Sequence, residues 1–223
     1  MNNNEFDHSE TADTLLLGHE LWSVRPTLHN GPGWRIPLWV QGCSLRCTTV
    51  CLNPHFLSNE GGFRCRIDEI VAHISALVSE ASEDVEGMTV LGGEPTDQAA
   101  AVAALFRAIK GLGLSTMLYS GATFEQLRSR RSAAIDELLA NSDLLVDGPF
   151  LPHEFDKSLV WRGSRNQRIL CLNGRYSDDD IARSIARQGR SYSMVLLPDG
   201  RISVSGLQTR KGAQALERTL GRP

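Results

Sequence analysis

The strongest constraint on the fold is the way strand-like and helix-like segments take turns along the chain. Ile67, Ile70, Val71, Ile74 and Val78 recur close to helical period, with Asp68 and Glu69 placed in the first turn to suit the helix dipole. Met88 to Leu91 reads as a strand. An Ala-rich helix follows over Asp97 to Ile109, with Thr96 as its cap and Gly111 and Gly113 closing it. Leu114 to Tyr119 reads as a strand, Thr123 to Leu139 as one helix, and Asp143 to Val146 and Ile169 to Leu172 as strands. Ser177 is placed to cap a helix from Asp178 to Arg187. Upstream, Leu15 to Val24 reads as a strand or hairpin arm, Asn30-Gly-Pro-Gly33 as a turn, and Ile36 to Gln41 as a buried strand. Ser193 to Leu197 and Arg201 to Val204 flank Pro198-Asp-Gly200 and read as a hairpin.

Strands alternating with helices of this length imply an α/β fold with a mostly parallel sheet and a C-terminal hairpin. In such sheets the loops after the strand C-termini gather on one edge, where sites form. The unusual sequences all fall there: the cysteines after Gln41, Gly92-Gly-Glu-Pro95, Ser120-Gly121 and Asp147-Gly148.

The length of 223 residues suits a single domain over 13–223, preceded by a polar, acidic and flexible tail over 1–12. A net charge of −3 gives no overall footprint for nucleic acid. Arg128, Arg130 and Arg131, flanked by Glu125, Asp136 and Glu137, read as a solvated helix face. No apolar run reaches membrane-spanning length, and the N-terminus lacks the basic and apolar regions of a signal peptide, so a cytoplasmic location is expected.

Three of the five cysteines, Cys43, Cys47 and Cys51, stand four apart. That spacing is compatible with one stripe of a helix, but Gly42, the β-branched Thr48, Thr49 and Val50, and Pro54 speak against a regular helix. A metal site in a reducing compartment accounts for them better than disulfides. Thiolates select zinc, copper(I) or iron–sulfur clusters. A closed zinc site would need a fourth ligand from His55, Cys65 or Cys171, whereas a [4Fe–4S] cluster on three cysteines keeps one iron open. The cysteines alone do not choose between these. His55 and His153 read as exposed polar residues, and Cys171 as a packed free thiol.

From Asn30 to Gly206 the chain resembles the radical SAM superfamily, and within it the activating proteins of anaerobic ribonucleotide reductase and pyruvate formate-lyase. The likeness is carried by Asn30-Gly-Pro-Gly-Trp-Arg35, Trp39-Val-Gln-Gly-Cys43, Gly92-Gly-Glu-Pro95, Leu118-Tyr-Ser-Gly121, Thr123-Phe-Glu-Gln-Leu127, Asp143-Leu-Leu-Val-Asp-Gly-Pro-Phe150 and Trp161-Arg-Gly-Ser-Arg-Asn-Gln-Arg168. One departure stands out. The usual loop has two residues between its last two cysteines, and here there are three, with Val50 where an aromatic is common.

The resemblance implies a partial (β/α) barrel. It implies a [4Fe–4S] cluster on Cys43, Cys47 and Cys51, and S-adenosylmethionine (SAM) held by Gly92, Gly93, Glu94, Pro95, Ser120, Asp147 and Arg168, with a monovalent cation expected at Asp147. Reductive cleavage of SAM would yield a 5′-deoxyadenosyl radical that places a glycyl radical on a partner such as the anaerobic ribonucleotide reductase large subunit. The electron would come from a low-potential donor such as flavodoxin or ferredoxin. The rival readings are a radical SAM enzyme acting on a peptide or small molecule, and a non-catalytic protein whose cluster or zinc is structural.

Overall fold

The computed structural model describes residues 12–188, 193–196 and 202–205. Most of the expected N-terminal tail and the Pro198-Asp-Gly200 turn therefore lie outside the described residues. In chain order the elements are β1 (Thr14–Leu17), β2 (Trp34–Val40), β3 (Phe63–Arg66), α1 (Ile67–Glu80), β4 (Val85–Gly92), α2 (Ala99–Gly111) and β5 (Ser115–Tyr119). They continue with α3 (Phe124–Ser129), α4 (Ala133–Ala140), β6 (Leu144–Asp147), β7 (Arg168–Cys171), α5 (Asp178–Gln188), β8 (Ser193–Leu196) and β9 (Ile202–Ser205).

Seven strands form one sheet in the order β3-β1-β2-β4-β5-β6-β7. The pairs β2·β4, β4·β5 and β5·β6 are parallel, while β1, β3 and β7 pair antiparallel at the flanks. The parallel strands advance across the sheet in one direction, as in a singly wound sheet, with no reversal of order. The sheet is open at β3 and β7, so it does not close into a full barrel among the described residues. β8 and β9 pair antiparallel, the strand pairing expected of the C-terminal hairpin.

Several expectations are corrected in detail. Pro95 stands at the first position of a 3-10 turn over Pro95–Gln98, so the cap is the Glu94 side chain, which accepts from the Thr96 N–H, and α2 begins only at Ala99. The expected helix from Thr123 to Leu139 is two helices. Arg131 turns into the left-handed region at φ 50°, and the Ser132 hydroxyl then caps α4 by accepting from the Ile135 N–H. Thr123 and Gln126 form a capping box on α3. The run from Leu15 to Val24 divides into β1 and a 3-10 turn over Leu21–Ser23.

The two faces of the sheet bury different cores. Leu38, Val90, Leu118 and Leu145 face α1, α2 and α4 through Ile70, Ile74, Val102, Phe106, Ile135 and Leu138. The other face gathers Met117, Leu144 and Val146 under Trp161 and Ile181 of α5. Near the N-terminal ends of the parallel strands this second face holds Arg35, fully buried. Its Nε donates to Thr89 Oγ1, Nη1 to Ser115 Oγ and the Pro32 carbonyl, and Nη2 to the carbonyls of Met88 and Ser115. All five guanidinium N–H groups thus have acceptors, drawn from β4, β5 and the turn before β2. Tyr176 completes the cluster, its hydroxyl donating to Glu86 Oε1 at 2.5 Å.

Lysine offers three donors on a single nitrogen and cannot reach this spread of acceptors. Arg35→Lys should lower the unfolding free energy by about 3 kcal/mol, since buried acceptors are left unpaired. Urea titration followed by circular dichroism measures this, and an unchanged midpoint would show that the five bonds are dispensable.

Candidate functional site

The cysteine loop leaves the C-terminal end of β2 and is irregular throughout, with no helix over Cys43–Cys51. Its ends are pinned together. The Gly42 N–H donates to the Phe56 carbonyl at 2.9 Å, and Gln41 Nε2 donates to the carbonyls of Ser58 and His55. Gly42 adopts φ 93°, which lets the chain leave the strand sharply.

The GGEP segment at the end of β4 lies directly against this departure. The Gly93 N–H donates to the Val40 carbonyl and the Glu94 N–H to the Gly42 carbonyl, at 2.9 and 2.8 Å. A Cβ on Gly93 would sit 1.9 Å from the Gly42 carbonyl oxygen, and one on Gly92 2.7 Å from the Val40 backbone. The two glycines are therefore required by the approach of the cysteine loop's own backbone, before any ligand is considered. The Pro95 ring is buried.

Glu94 is 1% exposed. Its carboxylate accepts from the Thr96 N–H, the Thr96 hydroxyl, the Ser120 hydroxyl and the Gly121 N–H, at 3.0, 2.6, 2.9 and 2.9 Å. Burial pushes its carboxyl above the ordinary range, and these four bonds pull it back. Ser120 is spent on this contact, so Glu94 and Ser120 turn their polar atoms to each other. Their joint effect is to hold Gly121 against the cysteines: a Cβ on Gly121 would meet the Cys47 sulfur at 3.0 Å and Leu45 at 3.2 Å.

The three thiols are free, with Cys43 buried, Cys47 exposed and Cys51 half-buried. Desolvation lifts the Cys43 thiol, offset by backbone N–H groups of Arg46 and Leu45 that bond to it. The Cys47 thiol is lifted by desolvation, then by Cys43, Glu94 and Cys51. Cys47 thus senses the charge of the cysteines on either side of it in the loop. Among the described residues no three His, Cys, Asp or Glu side chains converge on a point suited to one metal ion. An iron–sulfur cluster binds each thiolate through a different iron and needs no such convergence. Amides aimed at Cys43 and a side-chain-free face at Gly121 suit such a body. The hydroxyl of Ser44 is turned to Asp97 at 2.6 Å, and the Thr48 hydroxyl accepts from the Val50 N–H.

A cleft of about 550 Å³ opens beside Cys47, walled by Leu45, Gly121, Thr123, Gln126, Arg130 and Pro149. Arg130 also donates to Thr96 Oγ1. Of the three arginines read as a solvated face, Arg128 does pair with Asp136 at the surface, but Arg130 lines the cleft. Leu45 was not singled out, and only the loop's position in space reveals it; Thr123 and Gln126 belong to the segment Thr123-Phe-Glu-Gln-Leu127 that carries part of the resemblance, and the fold places both on the cleft wall.

Asp147 and Arg168 lie at the N-terminal end of α3. The Asp147 carboxylate is fully buried and accepts from the Phe124 N–H at 2.7 Å and from Arg168 at 3.0 and 2.5 Å, while Arg168 also reaches Glu125. The positive charge beside Asp147 is therefore a side chain of the protein itself. Cys65 sits on β3 opposite Leu15 and packs against the main core, and Cys171 packs beneath the second face.

Residues 29–170 match the family described as a 4Fe-4S single cluster domain, and the chain belongs to that family. It is 34% identical over 144 residues to the anaerobic ribonucleoside-triphosphate reductase-activating protein of Vibrio cholerae, covering 63% of this chain and 89% of that protein. It is 33% identical over 167 residues to the pyruvate formate-lyase-activating enzyme of Staphylococcus epidermidis, covering 74% of this chain and 65% of that enzyme. Against the corresponding Staphylococcus aureus enzyme the identity is 32% over the same span. The chain thus spans just under two thirds of these longer enzymes. Among the described residues no helix is long and apolar enough to cross a membrane.

Replacing Glu94 with glutamine exchanges one acceptor oxygen for a donor that faces donors. Glu94→Gln should destabilise the fold by about 1–3 kcal/mol and loosen the Gly121 amide. Hydrogen exchange at Gly121 reads the second effect directly; full protection in the variant would contradict the bridging role assigned to the carboxylate.

Proposed function

We propose that this protein reductively cleaves SAM at a [4Fe–4S] cluster held by Cys43, Cys47 and Cys51, and generates a glycyl radical on a partner enzyme of the anaerobic ribonucleotide reductase type. The observation that carries the reading is the meeting of Cys47 with Gly121 and Glu94, which joins the cysteine loop to the GGEP segment at one cleft. When bound, the cluster supplies the electron that breaks the sulfonium C–S bond of SAM.

The chain's own residues bind and orient. The backbone at Gly92 and Gly93 is the surface offered to SAM at the end of β4. Glu94 and Ser120 bond to each other just beyond that backbone, and Pro95 fixes the turn that follows it. Asp147 and Arg168 act through α3, whose first N–H the Asp147 carboxylate accepts, and so position Thr123 and Gln126 at the cleft wall. Arg130 offers a cation for the methionyl carboxylate. The extra residue between Cys47 and Cys51 lies in exposed chain at Thr49 and Val50, where the loop can bulge outward without disturbing the buried Cys43 end. Exposure of Cys47 supports a protein substrate, which needs an open approach to the cleft. A single domain in the cytoplasm, with the sheet curled as a partial barrel and a flavodoxin or ferredoxin as donor, completes the proposal.

Anaerobic reconstitution with iron and sulfide, reduction, and addition of SAM should release 5′-deoxyadenosine, and Cys47→Ala should reduce that release to background. With the partner enzyme present, a glycyl radical signal should appear by electron paramagnetic resonance. A colourless zinc-loaded protein that leaves SAM intact would sink the reading.

A further inference from the structure

The resemblance implies a monovalent cation at Asp147, the buried carboxylate that ends β6. A hard cation takes several oxygens with lone pairs turned to it. The oxygens around Asp147 face other partners. Oδ1 accepts from Arg168 Nε at 3.0 Å, and Oδ2 accepts from Arg168 Nη2 at 2.5 Å and from the Phe124 N–H at 2.7 Å. The Val146 carbonyl accepts from the Ser120 N–H, and the Ala122 carbonyl from the Gly148 N–H. The Ser120 hydroxyl donates to Glu94 and accepts from the Ala122 N–H. The residues present therefore do not fit an alkali cation.

A guanidinium stands where such a cation would touch Asp147. Arg168 begins β7 and is the cross-strand partner of Asp147 in the antiparallel β6·β7 ladder. Its Nη1 and Nη2 also donate to Glu125 Oε1 and Oε2, at 3.1 and 2.8 Å. The planar fork thus engages both oxygens of two carboxylates, one buried and one exposed. Arginine does not give up its proton in a protein, so this charge is permanent. A second cation at Asp147 would meet it at contact distance and be repelled.

The charge bears on the cleft through two short connections. Asp147 stands two residues before Pro149, which walls the cleft. Its bond to the Phe124 N–H fixes the start of α3, which brings Gln126, and Thr123 just ahead of it, to the same wall. We propose that Arg168 takes the place of a monovalent cation in this protein: its guanidinium balances Asp147 and ties β6, β7 and α3 together, and neither sodium nor potassium binds there. Arg168 is a positioning residue, since it acts on the cleft through Asp147 and α3. The consequence for SAM rests on the function proposed above; the consequence for cation binding does not.

The test compares the full-length, cluster-reconstituted protein in sodium, potassium and tetramethylammonium chloride at equal ionic strength, the last cation being too large for an alkali site. Thermal melting reads cation binding without turnover. The SAM concentration that half-saturates 5′-deoxyadenosine release reads the cleft. The parent should give one melting midpoint and one half-saturation in all three salts. A midpoint that rises and saturates with sodium or potassium overturns the proposal; a cation at about a hundredfold over its Kd would raise it by roughly 5–10 °C. A half-saturation that falls in either salt overturns it too. Arg168→Met removes the charge and keeps an apolar stem. It should melt below the parent, and sodium or potassium should recover part of the loss. Arg168→Lys keeps the charge and should remain indifferent to the salt. A methionine variant that ignores alkali cations shows that Asp147 needs none and overturns the substitution. A lysine variant that responds to salt as the methionine variant does also overturns it, because charge is then not what Arg168 supplies. If the methionine variant fails to fold, the parent series and the lysine variant decide. A protein that leaves SAM intact in every salt sinks the functional reading, while the melting series still decides the cation.

Discussion

The site depends on one buried carboxylate. Glu94 leaves β4 and accepts four hydrogen bonds, from its own turn and from the end of β5. Its backbone N–H holds the Gly42 carbonyl, where the cysteine loop begins. Three chain segments distant in sequence are thereby fixed to one residue, two through its carboxylate and one through its backbone N–H. A carboxylate suits this work because it accepts from several donors at once and donates to none. Its burial would be costly if any of those donors moved away, so the geometry around Gly121 and Cys47 is defined closely.

This alters what the conspicuous residues mean. Gly-Gly-Glu-Pro reads, as a motif, like a list of ligand contacts. In the fold, Gly92 and Gly93 are small because the backbones of Val40 and Gly42 cross them, and Glu94 and Ser120 bond to each other. These contacts give the four residues a structural part in shaping the end of β4 beside the cysteine loop. Asp147 and Arg168 work in the same way on α3.

The alternation of elements was legible because it rests on local periodicity and on glycine and proline signals. The direction of β7 was not, since apolar alternation is the same for parallel and antiparallel strands. β3 was missed because Phe63-Arg-Cys-Arg66 is short, polar and paired only with β1. The division of α3 from α4 was written in Ser132, an N-cap hidden inside a continuous helical pattern. The cysteines and the segments after β4, β5 and β6 announced the site's edge. Its walls at Leu45 and Arg130 were not legible, because neither residue belongs to a motif and only tertiary placement brings them to the cleft.

Arg35 carries a consequence for how the chain reaches this state. Its five acceptors are split among the turn at Pro32, β4 and β5. No pair of strands can satisfy it, so a half-formed sheet would trap an under-bonded cation in a drying interior. The cation is comfortable only in water or in the finished three-strand unit. Docking of β2, β4 and β5 is thereby made a single cooperative event that joins partners up to 80 residues apart. The edge strands can fray around that unit, and the strand ends that carry the cysteine loop and Glu94 arrive together.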